Sequence, residues 1–228
     1  MIAIEFTSLA NYVMFKLDKL ENSFSQQELS LIDEILVDYN DDKINDFSIL
    51  KNFSNLKKLI VKNFEISSYN LRIIKSLSKL TTIIFDNCSF ENPDYIAILE
   101  IPELSLLNCK LDNYNFIYIM TYLKSLSITS GKLSLSLLNR LTKLEYLDIS
   151  YSVILDNNIE LNADSITELY INGTDICDLN FVKMLPKLNK LGLSQKQIDS
   201  NLDSVNYLKN KGVIILDEGV IADEVISV

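Results

Sequence analysis

The feature that most limits how this chain can fold is an apolar pattern that recurs about every 22 residues. It reads Leu-x-x-Leu-x-Leu-x-x, with a further apolar residue at the eleventh place. Eight copies begin at residues 32, 56, 80, 101, 123, 144, 166 and 188. Chance matches in a chain rich in Leu and Ile would not keep so constant a phase. The repeat therefore predicts a solenoid that presents a binding surface, and it argues against an enzyme.

The first, fourth, sixth and eleventh positions of each copy are predicted to point into one core. The clearest copy is Leu56, Leu59, Val61 and Ile66, whereas in the first copy Ile44 is displaced by two residues from the eleventh place. Positions four and six are apolar while positions three, five and seven vary, which is the period of a short strand with one buried face. A single strand cannot bury that face alone, so the copies are expected to stack into a parallel sheet.

The segments between the strands are expected to form the other side of the solenoid. Three of them have helical spacing of apolar residues, namely SSYNLRIIKSLSK, NFIYIMTY and LNFVKML. A fourth, NDFSILKNFSN, is shorter and predicts a 3-10 turn or an extended segment. The predicted fold class is therefore α/β, a solenoid with parallel strands on one side and short helices and 3-10 turns on the other.

Length and composition predict one continuous domain. The chain has 228 residues, of which 48% are hydrophobic, and it contains no linker rich in Pro, Gly or Ser. We assign residues 1–31 to an N-terminal cap, 32–209 to the eight repeats, and 210–228 to a C-terminal cap strand with an acidic tail. The sequence Ser25-Gln26-Gln27-Glu28 predicts a short helix that begins after Ser25. A later helix is expected to end at Gly212.

The charge of the chain limits its partners. A formal net charge of −10 disfavours nucleic acid, whose phosphates demand a basic surface, and favours a protein partner with a basic or neutral surface. The first twenty residues do not read as a signal peptide, because no positive charge precedes Lys16 and Glu5 interrupts the apolar run. No segment has the roughly 18 apolar residues that a membrane span needs. We expect a monomer in the cytoplasm that does not contact a membrane.

Two segments, INDFSILKNFSNLKKL and ICDLNFVKMLPKLNKLGL, resemble the leucine-rich repeats of bacterial internalin-type proteins and of eukaryotic phosphatase-regulator proteins. The resemblance covers roughly residues 25–212, which is most of the chain. It implies a leucine-rich repeat solenoid with a curved parallel β-sheet on the concave side. It also implies a protein-binding module without a common catalytic residue.

One position departs from that family. The ninth position of the repeat is normally an Asn that hydrogen-bonds the turn. Here it is occupied by Asn40, Phe64, Cys88, Cys109, Gly131, Ser152, Thr174 and Lys196. With only one Asn in the set, the usual ladder of buried Asn side chains is missing, and we expect the turns to be less regular.

The cysteines do not indicate a catalytic or metal site. Cys88 and Cys109 hold the same place in adjacent copies, so they are expected about one strand spacing, ~4.8 Å, apart. We interpret them as buried free thiols, with a disulfide or a redox switch as the alternative. Cys177 has no CxxC partner. Because the chain has no His, a Cys–His nucleophile is excluded and a zinc site would need unusual ligands.

Other site chemistry is not favoured either. Asp38, Asn40 and Asp42 imitate the start of a calcium loop, but Lys43 stands where Gly is required and Ile49 where Glu is required. There is no GxxxxGK[ST] or GxGxxG phosphate loop. With 31 acidic residues, some carboxylates lie side by side on any surface. We therefore expect no cofactor, no metal and no catalytic residue.

Positions three, five and seven are predicted to face outward on the concave side. In the N-terminal half they expose an aliphatic group surrounded by charged residues. The aliphatic residues are Leu36, Ile60 and Ile84, and the charged ones are Glu34, Asp38, Lys58, Lys62 and Asp86. Such residues lower solubility unless something covers them. The alternatives are that they serve only strand formation, or that the N-terminal segment covers them.

In the C-terminal half the same face gathers tyrosines and carboxylates. The predicted group is Tyr146, Asp148, Tyr151, Glu168, Tyr170 and Asp175. Tyr with flanking carboxylates is typical of an interface that prefers a basic partner. We expect Tyr170→Ala to weaken partner binding while it leaves thermal stability nearly unchanged.

These observations predict a non-enzymatic module that recognises a protein through its concave face. One form of it is an acidic inhibitor or immunity-type protein that masks a basic enzyme. The alternative is an internalin-like surface or secreted adhesion module. The repeat type favours that alternative, and the lack of a recognisable signal peptide disfavours it.

Overall fold

The computed structural model describes residues 1–5, 7–41, 46–156, 159–161 and 163–217. The chain divides into two compact units, a first unit (Met1–Leu111) and a second unit (Asp112–Val228). Both units contain the same repeating element, in which a short strand is followed by a turn and a helical segment.

The first unit is built on four parallel strands. They are β1 (Glu34–Asp38), β2 (Lys58–Lys62), β3 (Thr82–Asp86) and β4 (Glu103–Leu107). They pair in chain order, and the register joins equal positions of neighbouring repeats. A two-residue strand, Glu65–Ile66, pairs with Ser89–Phe90 beyond the turns. Because the repeat has a constant phase, residues at the same position of successive repeats form straight rows across the strands.

The second unit continues the same pattern with five parallel strands. They are β5 (Ser125–Thr129), β6 (Tyr146–Asp148), β7 (Glu168–Tyr170), β8 (Lys190–Gly192) and β9 (Ile214–Leu216). They also pair in chain order and in register. Lys132–Leu133 pairs with Val153–Ile154 as a second short ladder.

The core of each unit includes most of the repeat positions that the sequence assigns to it, although the eleventh-position residues Phe90, Leu111 and Ile198 are only half-buried. None of the fourth- and sixth-position side chains is more than 1% exposed. They are Ile35, Val37, Leu59, Val61, Ile83, Phe85, Leu104, Leu106, Leu126, Ile128, Leu147, Ile149, Leu169, Ile171, Leu191 and Leu193. Burial of one such side chain contributes about 1.5–3 kcal/mol, which stabilises the stack of strands. The predicted fold class, an α/β leucine-rich repeat solenoid, is confirmed.

The helical side is mostly made of 3-10 helices. The segment SSYNLRIIKSLSK forms an α-helix (Ser68–Lys75), and NDFSILKNFSN forms a 3-10 helix, as the sequence predicts. The five 3-10 helices of the described residues are Phe47–Asn52, Pro93–Ile98, Asn115–Ile119, Leu135–Arg140 and Asn180–Met184. NFIYIMTY and LNFVKML are thus 3-10 and not α-helical, because segments this short gain too few hydrogen bonds to offset the cost of an α-helical nucleus.

The segment before β1 contains two helices, α1 (Thr7–Lys16) and α2 (Gln26–Leu29). The predicted capping box is present at the start of α2. The Glu28 backbone N–H donates to Ser25 Oγ at 3.2 Å, and the Ser25 backbone N–H donates to Glu28 Oε2 at 2.7 Å. These bonds satisfy two backbone donors that the helix itself leaves free.

The C-terminal end also follows the sequence expectation. With the helix Ser68–Lys75 counted as α3, two helices, α4 (Gln195–Ser200) and α5 (Leu202–Asn210), precede the last strand. Gly212 has φ +88° and reverses the chain after α5, a conformation that favours glycine. Some of the residues discussed above lie outside the described residues. They are the acidic tail beyond residue 217, the first-repeat residue Ile44, and Asp42 and Lys43 of the calcium-like segment.

The turns are more regular than we expected. Thiols and a hydroxyl replace the missing Asn at position nine. Each donates to the carbonyl of the sixth-position residue in the preceding repeat, Cys88 to Val61 at 3.3 Å, Cys109 to Phe85 at 3.4 Å and Ser152 to Ile128 at 2.9 Å. In these three repeats a small side-chain donor therefore takes the place of Asn. Cys88 and Cys109 are buried and free, in agreement with our interpretation of them.

Position eight supplies a second regularity, which the sequence analysis overlooked. It has a left-handed backbone in six successive repeats, at Asn63, Asn87, Asn108, Ser130, Tyr151 and Gly173, with φ between 53° and 64°. Asn and Gly tolerate this conformation better than other residues do. The amide of Asn87 donates to Asn63 Oδ1 at 2.7 Å, and that of Asn63 donates to Asp38 Oδ1 at 2.7 Å. The first unit therefore has an Asn ladder, one place earlier than in the family pattern.

Candidate functional site

The outer face of the strands carries the candidate site. Positions four and six point into the core, so positions three, five and seven point away from it. Because each strand is in register with its neighbours, the fifth positions form one row in each unit, flanked by the rows of positions three and seven. The first unit and the second unit present different chemistry on this face.

In the first unit, the fifth position is aliphatic on three of the four strands and is Ser105 on β4. Leu36, Ile60 and Ile84 stand side by side on β1, β2 and β3, and these three residues are here called the aliphatic row. Leu36 is 38% exposed, and the other two are half-buried. The described part of the N-terminal segment leaves Leu36 open to solvent. The alternative in which that segment covers the row is therefore not supported at Leu36.

Charged pairs border the aliphatic row on both sides. Lys58 Nζ lies 3.0 Å from Glu34 Oε1, and on the other side Lys62 Nζ lies 3.5 Å from Asp86 Oδ2. All four side chains are partly exposed, so each pair adds at most about 1 kcal/mol to stability. The pairs instead give the row a polar border, which is the usual arrangement around an interface core. The predicted aliphatic group and its charged surroundings are thus brought together.

In the second unit, four of the six predicted residues come together. Tyr146 and Asp148 lie two places apart on β6, and Glu168 and Tyr170 lie opposite them on β7. These four residues are here called the tyrosine cluster. The two rings are stacked in a tilted arrangement with their centroids 5.3 Å apart. Tyr170 also donates to Glu168 Oε2 at 3.1 Å.

Tyr170 lies mainly beneath the surface of the cluster and supports its other residues. It is only 8% exposed. Its ring lies over Gly192 on β8, where an added Cβ would stand 2.4 Å from the Tyr170 Cδ1 atom. Removal of a buried aromatic side chain costs about 3–5 kcal/mol. Our expectation that Tyr170→Ala leaves stability nearly unchanged therefore conflicts with its burial, and Tyr146, which is half-buried, is the better position to change.

The carboxylates of the cluster have different surroundings. Glu168 forms an ion pair with Lys190 at 3.1 Å. Asp148 Oδ1 accepts the backbone N–H of Ser150 at 2.9 Å. Burial raises the pKa of Asp148, and the hydrogen bonds from Ser150 oppose that rise. Burial, followed by the nearby Asp148 carboxylate, likewise raises the pKa of Tyr146 well above its usual value, so its hydroxyl stays protonated.

The other two predicted residues have roles in the turns. Tyr151 is 59% exposed and has φ 60°, and its ring lies over Gly173, where an added Cβ would meet it at 2.6 Å. Asp175 Oδ1 accepts the backbone N–H of Ile154 at 2.9 Å and so ties one turn to the next. We assign Tyr151 and Asp175 to the ends of the strands and not to the tyrosine cluster.

A polar cleft of about 330 Å³ lies in the first unit and was not predicted. It runs along the Asn ladder and is lined by Tyr39, Asn63, Phe64, Glu65, Asn87, Cys88, Ser89 and Lys110. Its sequence signal was the Asn at position eight of successive repeats. Among the described residues, no group of three or more Cys, Asp or Glu is arranged to hold a metal ion. No helix in the described ranges is long and apolar enough to span a membrane.

Comparison with known proteins supports the fold. No protein-family model matches the sequence, and no curated protein matches it. Among solved structures, internalin C2 of Listeria monocytogenes is 20% identical, with a TM-score of 0.68, over 95% of this chain and 100% of that chain. Internalin F of the same organism is 17% identical, with a TM-score of 0.53, over 92% and 88%. At these identities the likeness concerns the fold, and in fold the chain is a leucine-rich repeat protein of the internalin-like type.

Proposed function

We propose that this protein is a non-enzymatic binding module that recognises a protein partner through the outer face of its strands. The observation that carries the proposal is the aliphatic row, where three neighbouring strands present Leu or Ile toward solvent within a border of ion pairs. An exposed apolar patch of this kind lowers solubility unless a partner covers it. Leucine-rich repeat proteins of the same fold support a binding role by analogy only.

The charge of the molecule supports a partner with a basic or neutral surface. The net charge of −10 attracts a cationic protein over distances up to about a Debye length and speeds its association. We propose that the protein acts as a monomer in the cytoplasm, as an acidic inhibitor or immunity-type protein for a basic enzyme. A surface or secreted adhesion role is the second candidate, which the fold of internalin C2 favours.

Paired variants test the binding face. Ile60→Glu places a carboxylate between Lys58 and Lys62 on the same strand face, so the strand tolerates it, while the aliphatic row is interrupted. Tyr69→Glu is the matched control, because Tyr69 is 54% exposed in the first turn of α3, on the helical side. Partners captured from cells of the source organism are purified, and their affinities for both variants are measured by calorimetry.

We expect Ile60→Glu to weaken the affinity at least tenfold, which is about 1.4 kcal/mol, and Tyr69→Glu to leave it unchanged. Equal affinities for the two variants would remove the aliphatic row from the proposal. Inhibition of an enzymatic activity of the partner at a 1:1 ratio supports the inhibitor role. Protease accessibility of the protein on intact cells supports the adhesion role instead.

A further inference from the structure

Asp148 is the last residue of β6 and lies on the outer face of the second unit. Its neighbours in the fifth-position row are Ser127 on β5 and Tyr170 on β7. Tyr146 lies two residues earlier on β6, so both side chains point away from the core. A carboxylate and an aromatic ring are therefore presented together to whatever approaches this face.

The charge of Asp148 is not balanced within the described part of the chain. Lys190, the basic residue at the cluster, pairs with Glu168 at 3.1 Å, and none of the ion pairs of the described residues includes Asp148. The Ser150 backbone N–H, at 2.9 Å, gives it a hydrogen bond but no opposite charge. A half-buried carboxylate without a cation is a cost to the fold that a cationic ligand would offset.

A buried acceptor beside Tyr170 lacks a donor. Asn172 is 2% exposed, and its Oδ1 atom is buried without a hydrogen-bond partner among the described residues. It lies beside Tyr170 over Gly192, where an added Cβ would stand 2.6 Å from it. The amide oxygen is too deep for direct contact with a ligand. Asp148 and Asn172 therefore flank Tyr170, Asp148 as its partner on β6 and Asn172 beside it over Gly192.

The aromatic rings select the shape of the cation. Tyr146 is supported from one side by Tyr170, whose ring centroid lies 5.3 Å away and whose position is fixed by Gly192. A planar guanidinium stacks on a tyrosine face and at the same time donates two parallel hydrogen bonds to a carboxylate. A lysine ammonium is a compact and strongly hydrated charge that does not combine these two contacts.

We propose that Tyr146 and Asp148 form a pocket for one arginine side chain of the protein partner, with the guanidinium stacked on Tyr146 and paired with Asp148. This inference rests on the proposed function, since it names the group by which the partner is recognised. Tyr170 and Gly192 are positioning residues, because they act through Tyr146 and do not touch the ligand. Glu168 is already paired with Lys190, so it makes no direct contact with the arginine and contributes only the electrostatic potential of its carboxylate.

Small arginine probes test the pocket without knowledge of the partner. N-acetyl-arginine amide and N-acetyl-citrulline amide have nearly the same shape, but only the first carries a charge. Each is titrated into the full chain, and the ring resonances of Tyr146 and Tyr170 are followed by NMR. The variants are Asp148→Asn and Tyr146→Ala, and the matched control is Asp112→Asn, which removes an exposed carboxylate at another place in the second unit.

We expect saturable shifts of both rings with the arginine probe and an affinity about tenfold lower for the citrulline probe. Asp148→Asn abolishes the difference between the probes, Tyr146→Ala weakens the binding of both, and Asp112→Asn leaves both affinities unchanged. Equal shifts from the two probes, or no shift in the wild-type chain, would overturn the arginine pocket. If Ile60→Glu still weakens partner binding in that case, the proposed function stands without the pocket. If the arginine probe binds but Ile60→Glu does not weaken partner binding, the binding role of the aliphatic row is wrong and the arginine pocket stands.

Discussion

At the scale of single residues, Asp148 is a charge that the fold holds at a cost. Its pKa in the folded protein is raised above the ordinary value of 3.8 by burial, so the folded state binds the proton more tightly than the unfolded state does. Stability therefore falls as the pH rises through 3.8 toward the folded-state pKa. Above the folded-state pKa, the ionised carboxylate makes its full unfavourable contribution.

This cost predicts that Asp148→Asn makes the protein more stable. The asparagine oxygen can still accept the Ser150 N–H, but the side chain cannot ionise. The melting temperature at pH 7 should rise, and the difference from wild type should disappear as the pH falls below 3.8. Thermal unfolding followed by circular dichroism across this range measures it. A lower melting temperature at pH 7 would mean that the carboxylate stabilises the fold.

The thiols give a second prediction at this scale. Burial raises the pKa of Cys88 to about 11 and that of Cys109 to about 12, so little thiolate exists at neutral pH. Cys177 is exposed. We expect a thiol reagent such as dithionitrobenzoate to modify Cys177 quickly in the native protein and all three cysteines in urea. Rapid native modification of Cys88, identified by peptide mass, would show that the turn opens or that the thiol serves a redox role.

At the scale of structural elements, the glycine on β8 determines where the β7 tyrosine lies. Gly192 leaves space that Tyr170 fills, since an added Cβ would stand 2.4 Å from the ring. Gly192→Ala must move the ring or the strand, and we expect a loss of about 1–3 kcal/mol in the free energy of unfolding. In a Tyr170→Ala background the added methyl group meets open space, so the same change should cost far less.

A double-mutant cycle of these two positions measures the coupling. The four proteins are unfolded in urea, and their free energies of unfolding are compared. A cost of Gly192→Ala that is the same with and without the Tyr170 ring would show that the strand, and not the ring, resists the methyl group. The result matters for the arginine pocket, because Tyr170 in turn supports Tyr146.

At the scale of the whole molecule, the rows of the outer face were predictable because the repeat has a constant phase. Leu36, Ile60 and Ile84 occur at equal places in successive copies, and strand register makes equal places neighbours. The tyrosine cluster was only partly predictable. Sequence spacing did not show that Tyr170 would be buried, since that depends on Gly192 in the next repeat.

The hydrogen bonds and backbone conformation of the turns were not predicted from the sequence. Position nine lacks the Asn of the family pattern, yet Cys88, Cys109 and Ser152 donate there to the preceding repeat. Residue identity alone did not predict these bonds. Tyr151 and Asp175 were predicted to lie on the same face as the cluster. Tyr151 lies at the turn because position eight adopts a left-handed backbone, which no residue pattern in the middle of the strand reveals. Asp175 lies in the next turn, where its carboxylate accepts the backbone N–H of Ile154.

The central claim, that a partner binds the outer face of the strands, is tested most directly by hydroxyl-radical footprinting of the protein with and without its bound partner. Oxidation reports the solvent access of side chains throughout the molecule in one measurement. We predict protection of Leu36 and Tyr146 on the outer face, and unchanged oxidation of Tyr69 and Met184, which are 54% and 77% exposed on the helical side. Protection of Tyr69 and Met184, with Leu36 and Tyr146 still oxidised, would contradict the account.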